Sequence, residues 1–211
     1  MKRKLLGFLL VSILYSCKPA TEHEQKQTIK TDSMPVILNK MGKDSISTTI
    51  VDADRLIIPG KSIGHIVVGQ DAALAVRQLG KPDFEDAAMG SSLMTWHTNH
   101  DSSDHQVSIF SGHQYGSKDE NIAYIKKILV SSPFFKTEDG ISVGFSKVEI
   151  EKKYVLKLIT TTNQTSKNVK VYSDVDKGIS FEINAATGKC VGIIVEKPGE
   201  DAATYIDMHE R

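Results

Sequence analysis

The chain is poor in the features that usually announce chemistry. It has two cysteines, one tryptophan and no excess of charge, with 26 Lys plus Arg against 26 Asp plus Glu in 211 residues. Charge balance argues against a nucleic-acid binder, which would carry a basic face. Two cysteines exclude a disulfide framework. No apolar run approaches the roughly 20 residues a spanning helix needs. Nor can a nucleophile, a base and an orienting group be assembled from its motifs, so no enzymatic activity is expected.

The first residues are informative. Lys2, Arg3 and Lys4 precede the apolar run Leu5–Tyr15, the layout of a signal peptide. The run ends in Leu14-Tyr15-Ser16-Cys17, which resembles the bacterial lipobox. That resemblance implies cleavage after Ser16, lipid on the Cys17 thiol and acylation of the new N-terminus. Several acyl chains give stable anchoring where one gives only marginal binding. Lys18 follows the cysteine, unlike an inner-membrane retention signal built on Asp, so the outer membrane is favoured over the inner. Cys190 then has no intrachain partner. It lies in the apolar run "GKCVGIIV" and is expected as a small buried hydrophobe.

Residues 1–16 are read as the signal peptide and 17–55 as a polar tether. The folded part divides into 56–135, 136–199 and a tail, 200–211, in which a short helix is expected from Asp201. Its two main segments echo each other. Ile66-Val67-Val68-Gly69-Gln70-Asp71 matches Ile141-Ser142-Val143-Gly144-Phe145-Ser146. Each opens on I-x-V, turns at glycine and offers a helix cap, Asp71 or Ser146. Ser146-Lys147-Val148-Glu149 also fits a capping box. Apolar or alternating stretches follow at Leu93–Thr98, Gln106–Phe110 and Ile122–Ser131, then at Val169–Ser173, Gly178–Asn184 and Cys190–Glu196. The expected fold is therefore α+β: two tandem repeats, each a short helical element followed by a three-stranded antiparallel meander.

The first segment carries a family resemblance. Val67, Gly69, Asp71, Leu79-Gly80-Lys81-Pro82 and Trp96 resemble the pattern of the small outer-membrane lipoprotein family of the β-barrel assembly machinery. They are also similar to the repeated units of β-lactamase inhibitor proteins. The second segment lacks L-G-x-P. The resemblance implies binding to other proteins without chemistry. The matched positions are core and turn positions, so no partner-contact residue follows from it.

Two catalytic motifs fail on context. Gly60-Lys61-Ser62-Ile63-Gly64 fits G-x-S-x-G, but a nucleophile elbow needs a helix directly behind the serine, and here the cap comes only at Asp71. As a phosphate loop, the first glycine would fall at Arg55. A histidine-rich stretch, "WHTNHDSSDHQVSIFSGH", holds His97, His100, His105 and His113 with Asp101 and Asp104. Imidazole and carboxylate together suit Zn²⁺. His97 and His105 would come close if the flanking strands pair, with His100, Asp101 and Asp104 in the loop. No ligand spacing matches a known site, so the weak metal candidates stand against an ordinary solvated loop, and no cofactor is expected. Trp96 is expected in the core, Phe134-Phe135 where the two segments meet, and Lys126-Lys127 on a solvated face. The functional expectation is an anchored envelope adaptor or assembly accessory that binds protein. The alternatives are an inhibitor of an envelope hydrolase and a metal or small-ligand carrier using the His97–His105 hairpin.

Overall fold

A computed structural model describes residues 52–159, 168–200 and 206–209. The chain divides into Met1–Ile46 and Ser47–Arg211, and every described residue belongs to the second unit. Cys17, the signal peptide and nearly all of the tether lie outside the described residues, as does Asp201 with its expected helix. No helix among the described residues is long and apolar enough to cross a membrane.

Among the described residues twelve strands and two α-helices follow in order: β1 (Leu56–Ile58), β2 (Ser62–Ile63), β3 (Ile66–Val67), α1 (Ala72–Leu79), β4 (Phe84–Ala88), β5 (Ser91–His97), β6 (Gln106–His113), β7 (Ala123–Val130), β8 (Lys136–Thr137), α2 (Lys147–Glu151), β9 (Lys157–Leu158), β10 (Val169–Asp174), β11 (Ile179–Asn184) and β12 (Cys190–Glu196). They form two sheets, one ordered β3-β2-β1-β8 and one ordered β4-β5-β6-β7-β12-β11-β10-β9.

This corrects the expected α+β layout of two helix-plus-three-strand repeats. The fold is mainly β, and its helical part is slight. The antiparallel runs have four strands rather than three, and they are not separate bodies. β7 pairs with β12, Val130 against Ile193 and Ile128 against Val195, so the runs fuse into one eight-stranded sheet. The missed strands have physical reasons. β4 reads "FEDAA" and is mostly exposed, so it has no apolar alternation to detect. The strands of the small sheet span two or three residues, too few for any periodicity.

The local signals still act. Asp71 Oδ1 accepts from Ala73 N at 2.9 Å at the start of α1, and Gly80 caps its end. Ser146 and Glu149 make the reciprocal capping box of α2. Behind each cap the chain clips onto the last strand of its run. Gly69 N donates to Ile125 O at 2.7 Å, and Gly144 N donates to Cys190 O at 2.8 Å.

One face of the large sheet packs against α1, α2 and the small sheet. Ile109, Ile125, Ile128, Ile150, Phe181 and Ile193 are fully buried there, each burial worth about 1.5–3 kcal/mol. The opposite face mixes buried polar residues with a small apolar cluster. Thr95 Oγ1 and Ser108 Oγ lie 3.0 Å apart. Lys127 pairs with Glu196, which also accepts from Ser180 Oγ at 3.1 Å. Lys127 is thus no solvated residue; it is almost entirely buried. Residues 206–209 lie on this face. Met208 packs with Leu129 and Ile194, and His209 Nε2 meets Glu182 Oε2 at 2.8 Å.

Candidate functional site: a free strand edge between two clefts

A largely exposed five-residue strand, β4, lies at one end of the large sheet. It is held on one side only: Phe84 pairs with Thr95, Asp86 with Leu93 and Ala88 with Ser91. Among the described residues nothing pairs with its outer edge. Met89 and Gly90 close the β4–β5 hairpin with φ of 52° and 74°, the all-positive backbone of a type I′ turn. In such a hairpin the closing pair, Ala88 and Ser91, exchanges hydrogen bonds, and the ladder then alternates. Glu85 and Ala87 therefore turn their backbone groups outward.

The turn is strained at one residue. Type I′ turns favour Asn-Gly, because both positions need φ above zero. Here the first position is Met89, whose side chain is 99% exposed. The left-handed backbone costs such a residue about 1–2 kcal/mol. Gly90 supplies the second positive φ of the turn at no steric cost.

A cleft opens on each face beside β4. Towards α1, a cleft of about 420 Å³ is walled by Ala72, Val76 and Ala87, with Met94 and Ser111 also lining it and Glu85 and Met89 beside them. On the opposite face, a cleft of about 210 Å³ is lined by Phe84, Asp86, Leu93, Phe110 and His209. Alternate residues of one exposed strand thus border different clefts: Glu85 and Ala87 the first, Phe84 and Asp86 the second.

The histidine-rich loop is organised by a residue that sequence reasoning passed over. Asp83, just after Pro82, accepts from the His97 backbone N–H at 2.7 Å and contacts His100 Nδ1 at 2.6 Å. These bonds hold its carboxyl below the usual carboxylate range, the His97 bond first. Asn99 and His100 both take positive φ, the backbone that brings the His100 ring to Asp83. Asp101 accepts from Ser103 N and Oγ, which lowers its pKa. Asp104 accepts from His105 N at 2.7 Å. Across the hairpin His97 pairs with Gln106, not His105, although both histidines line a cleft of about 430 Å³ with Trp96, Phe134 and Phe135. His113 lies apart, its Nδ1 2.8 Å from Glu120 O. Among the described residues no three His, Cys, Asp or Glu side chains group as metal ligands. The signal that could have found Asp83 is its place after Leu79-Gly80-Lys81-Pro82, where the chain leaves α1 for the sheet.

The other singled-out residues are structural. Gly60, at φ 73°, donates its N–H to Gly178 O at 3.1 Å. A β-carbon on Gly60 would lie 2.9 Å from Lys177 O. The Pro-Gly-Lys turn thus seats against the β10–β11 turn, and Ser62, the serine both motifs share, is buried in β2. Trp96 is buried, with its Nε1–H donating to Gly80 O at 2.9 Å. Phe135 packs on the core, while Phe134 is half exposed beneath the Arg55 guanidinium, 4.3 Å from the ring centroid. Cys190 is buried, and burial pushes its thiol up to about 12.

No family model matches the chain, and no curated protein matches it. Among solved structures, the chain is similar to the crystal structure of an extracellular protein containing a SCP domain from Bacillus anthracis str. Ames. The match has a TM-score of 0.40 at 13% identity, covering 63% of this chain and 44% of that one. The chain spans less than half the length of that protein, and a likeness this weak carries no argument about fold or function.

Proposed function

We propose that this chain is a lipoprotein of the bacterial cell envelope, anchored through lipid on Cys17 at the outer membrane, and that it binds a segment of another envelope protein as an added strand on β4. The observation that carries the reading is the free edge of β4, which projects the backbone groups of Glu85 and Ala87 between two clefts. Strand addition takes its affinity from main-chain hydrogen bonds and its specificity from pockets for alternate side chains. Edges not meant for a partner are usually shortened, bulged or covered. The strained, exposed Met89 beside this edge supports the same reading, because such strain collects at functional positions. The lipobox-like Leu14-Tyr15-Ser16-Cys17 supports the anchor.

The test is photo-crosslinking in cells from a benzoylphenylalanine placed at Glu85, with parallel probes at His100 and Ser103 and Cys17→Ala as the unanchored control. One dominant protein adduct from Glu85 that depends on the anchor is expected. Ala87→Pro should abolish that adduct and leave the fold intact, because it removes an N–H that faces outward. Adducts confined to His100 and Ser103 would move the contact to the β5–β6 loop and refute strand addition.

A further inference from the structure

The cleft between α1 and the large sheet holds an unsatisfied group that strand addition does not use. Ser111, on β6, is 1% exposed, lines the cleft, and its Oγ has no hydrogen-bond partner among the described residues. Buried hydroxyls are ordinarily bonded. Ser111 faces Ser92, which in turn faces Ala87. It therefore lies two strand spacings, ~10 Å, in from β4, and a side chain on an added strand would fall short of it.

The walls define what could reach Ser111. Ala72, Ala73, Ala87, Ala88 and Ala123 line them with methyl groups. Met94 and Met89 bring thioethers to it, and sulfur favours the edges of aromatic rings. No lysine or arginine lines the cleft; its titratable lining residues are His113 and Glu85, and the Glu85 carboxylate disfavours an anion. A volume of about 420 Å³ falls in the ~300–1,000 Å³ range of small-molecule sites.

We infer that this cleft is a binding site for a neutral phenol-like small molecule, its ring held among the alanines and Met94, its hydroxyl bonded to Ser111 Oγ. The inference concerns the inner end of the cleft at Ser111; the rim at Glu85 and Ala87 is shared with the proposed added strand.

The test uses the full chain carrying Cys17→Ala, labelled with [methyl-13C]methionine and held in detergent micelles. It is titrated with 4-ethylphenol and with ethylbenzene at matched free concentrations. Met94 and Met89 report on the cleft, and Met208, on the other face of the sheet, is the control. The Met94 and Met89 signals should move saturably while Met208 stays still. The phenol should bind about five- to tenfold more tightly than ethylbenzene, the effect of one net hydrogen bond. Ser111→Ala should erase that preference. Ala73→Phe, at an exposed helix position, should block both ligands without threatening the fold. Absent or unsaturable shifts, equal binding of ethylbenzene, or a preference that survives Ser111→Ala would overturn the site. Tighter binding of N-acetyl-tyrosinamide than of 4-ethylphenol would overturn the small-molecule assignment in favour of a side chain.

Discussion

Replacing Met89 with asparagine should stabilise the protein, against the general run of mutations, most of which destabilise. Met89 sits at φ 52° before Gly90 at φ 74° and is 99% exposed, so the substitution forfeits no packing. The left-handed backbone costs a residue such as Met about 1–2 kcal/mol. Asparagine tolerates that region and belongs to the preferred type I′ pair. A net gain of about 1 kcal/mol is expected, or ~2–4 °C in Tm for a body of this size. Thermal unfolding followed by circular dichroism measures it. Met89→Ala is the decisive control: it removes the same side chain yet keeps the backbone penalty, so its Tm should not move. Equal gains in both variants would assign the effect to the lost methionine rather than to the turn. No gain in Met89→Asn would refute the strained-turn argument. If Met89 contributes to the partner contact, the stabilised variant should also give fewer adducts from Glu85 in cells.

Lys127→Met leaves Glu196 buried without its cation and should cost about 3–5 kcal/mol in urea unfolding, while adding Glu196→Leu should recover most of the loss. A double variant as unstable as the single one would refute the pairing argument. Cys190, its thiol raised to about 12 by burial, should resist iodoacetamide in the native protein and react fully once the protein is unfolded; native labelling at neutral pH would contradict the packing of β12. His209 has its pKa raised by the hydrogen bond to Glu182, with Asp207 adding to the shift. The stabilisation from docking residues 206–209 is then fully present below the unfolded histidine value of about 6.5 and fades as pH rises through the higher folded value. His209→Gln should flatten that pH dependence of stability, and an unchanged profile would assign it to other groups.

The residues legible in the sequence are those whose role is local. Asp71 and Ser146 cap helices because a side-chain oxygen one turn from orphan N–H groups needs no tertiary partner. β5, β6, β7, β10, β11 and β12 announce themselves because each packs at least one face on a core. What the sequence hid is non-local or inverted in polarity. The β7–β12 pairing that fuses the strands into one sheet joins Lys127 to Glu196, residues far apart in the chain. The same pair reversed the expected polarity of one residue: Lys127, expected on a solvated face, is buried against Glu196. The histidine-rich loop drew attention by composition, yet Asp83, a single carboxylate outside it, decides its shape. β4, on which the functional reading rests, was invisible because an exposed edge strand has no buried face to impose a pattern.

That invisibility and the proposed role share a cause. A strand meant to accept a partner must leave its edge open, yet an open edge also invites a second copy of the same chain. β4 discourages self-pairing through its own charges. A two-fold antiparallel pairing that uses all five residues sets Asp86 against Asp86, and the next register towards the start of the strand that keeps outward groups opposed sets Glu85 against Glu85. Like charges directly opposite each other cost ~0.2–1 kcal/mol per pair. The same carboxylates favour a partner strand that brings lysine or arginine across from them. At the far end of the sheet, β9 is two residues long, an edge too short to template anything. Among the described residues the large sheet therefore offers one usable edge, and the acids on it select for a partner unlike itself.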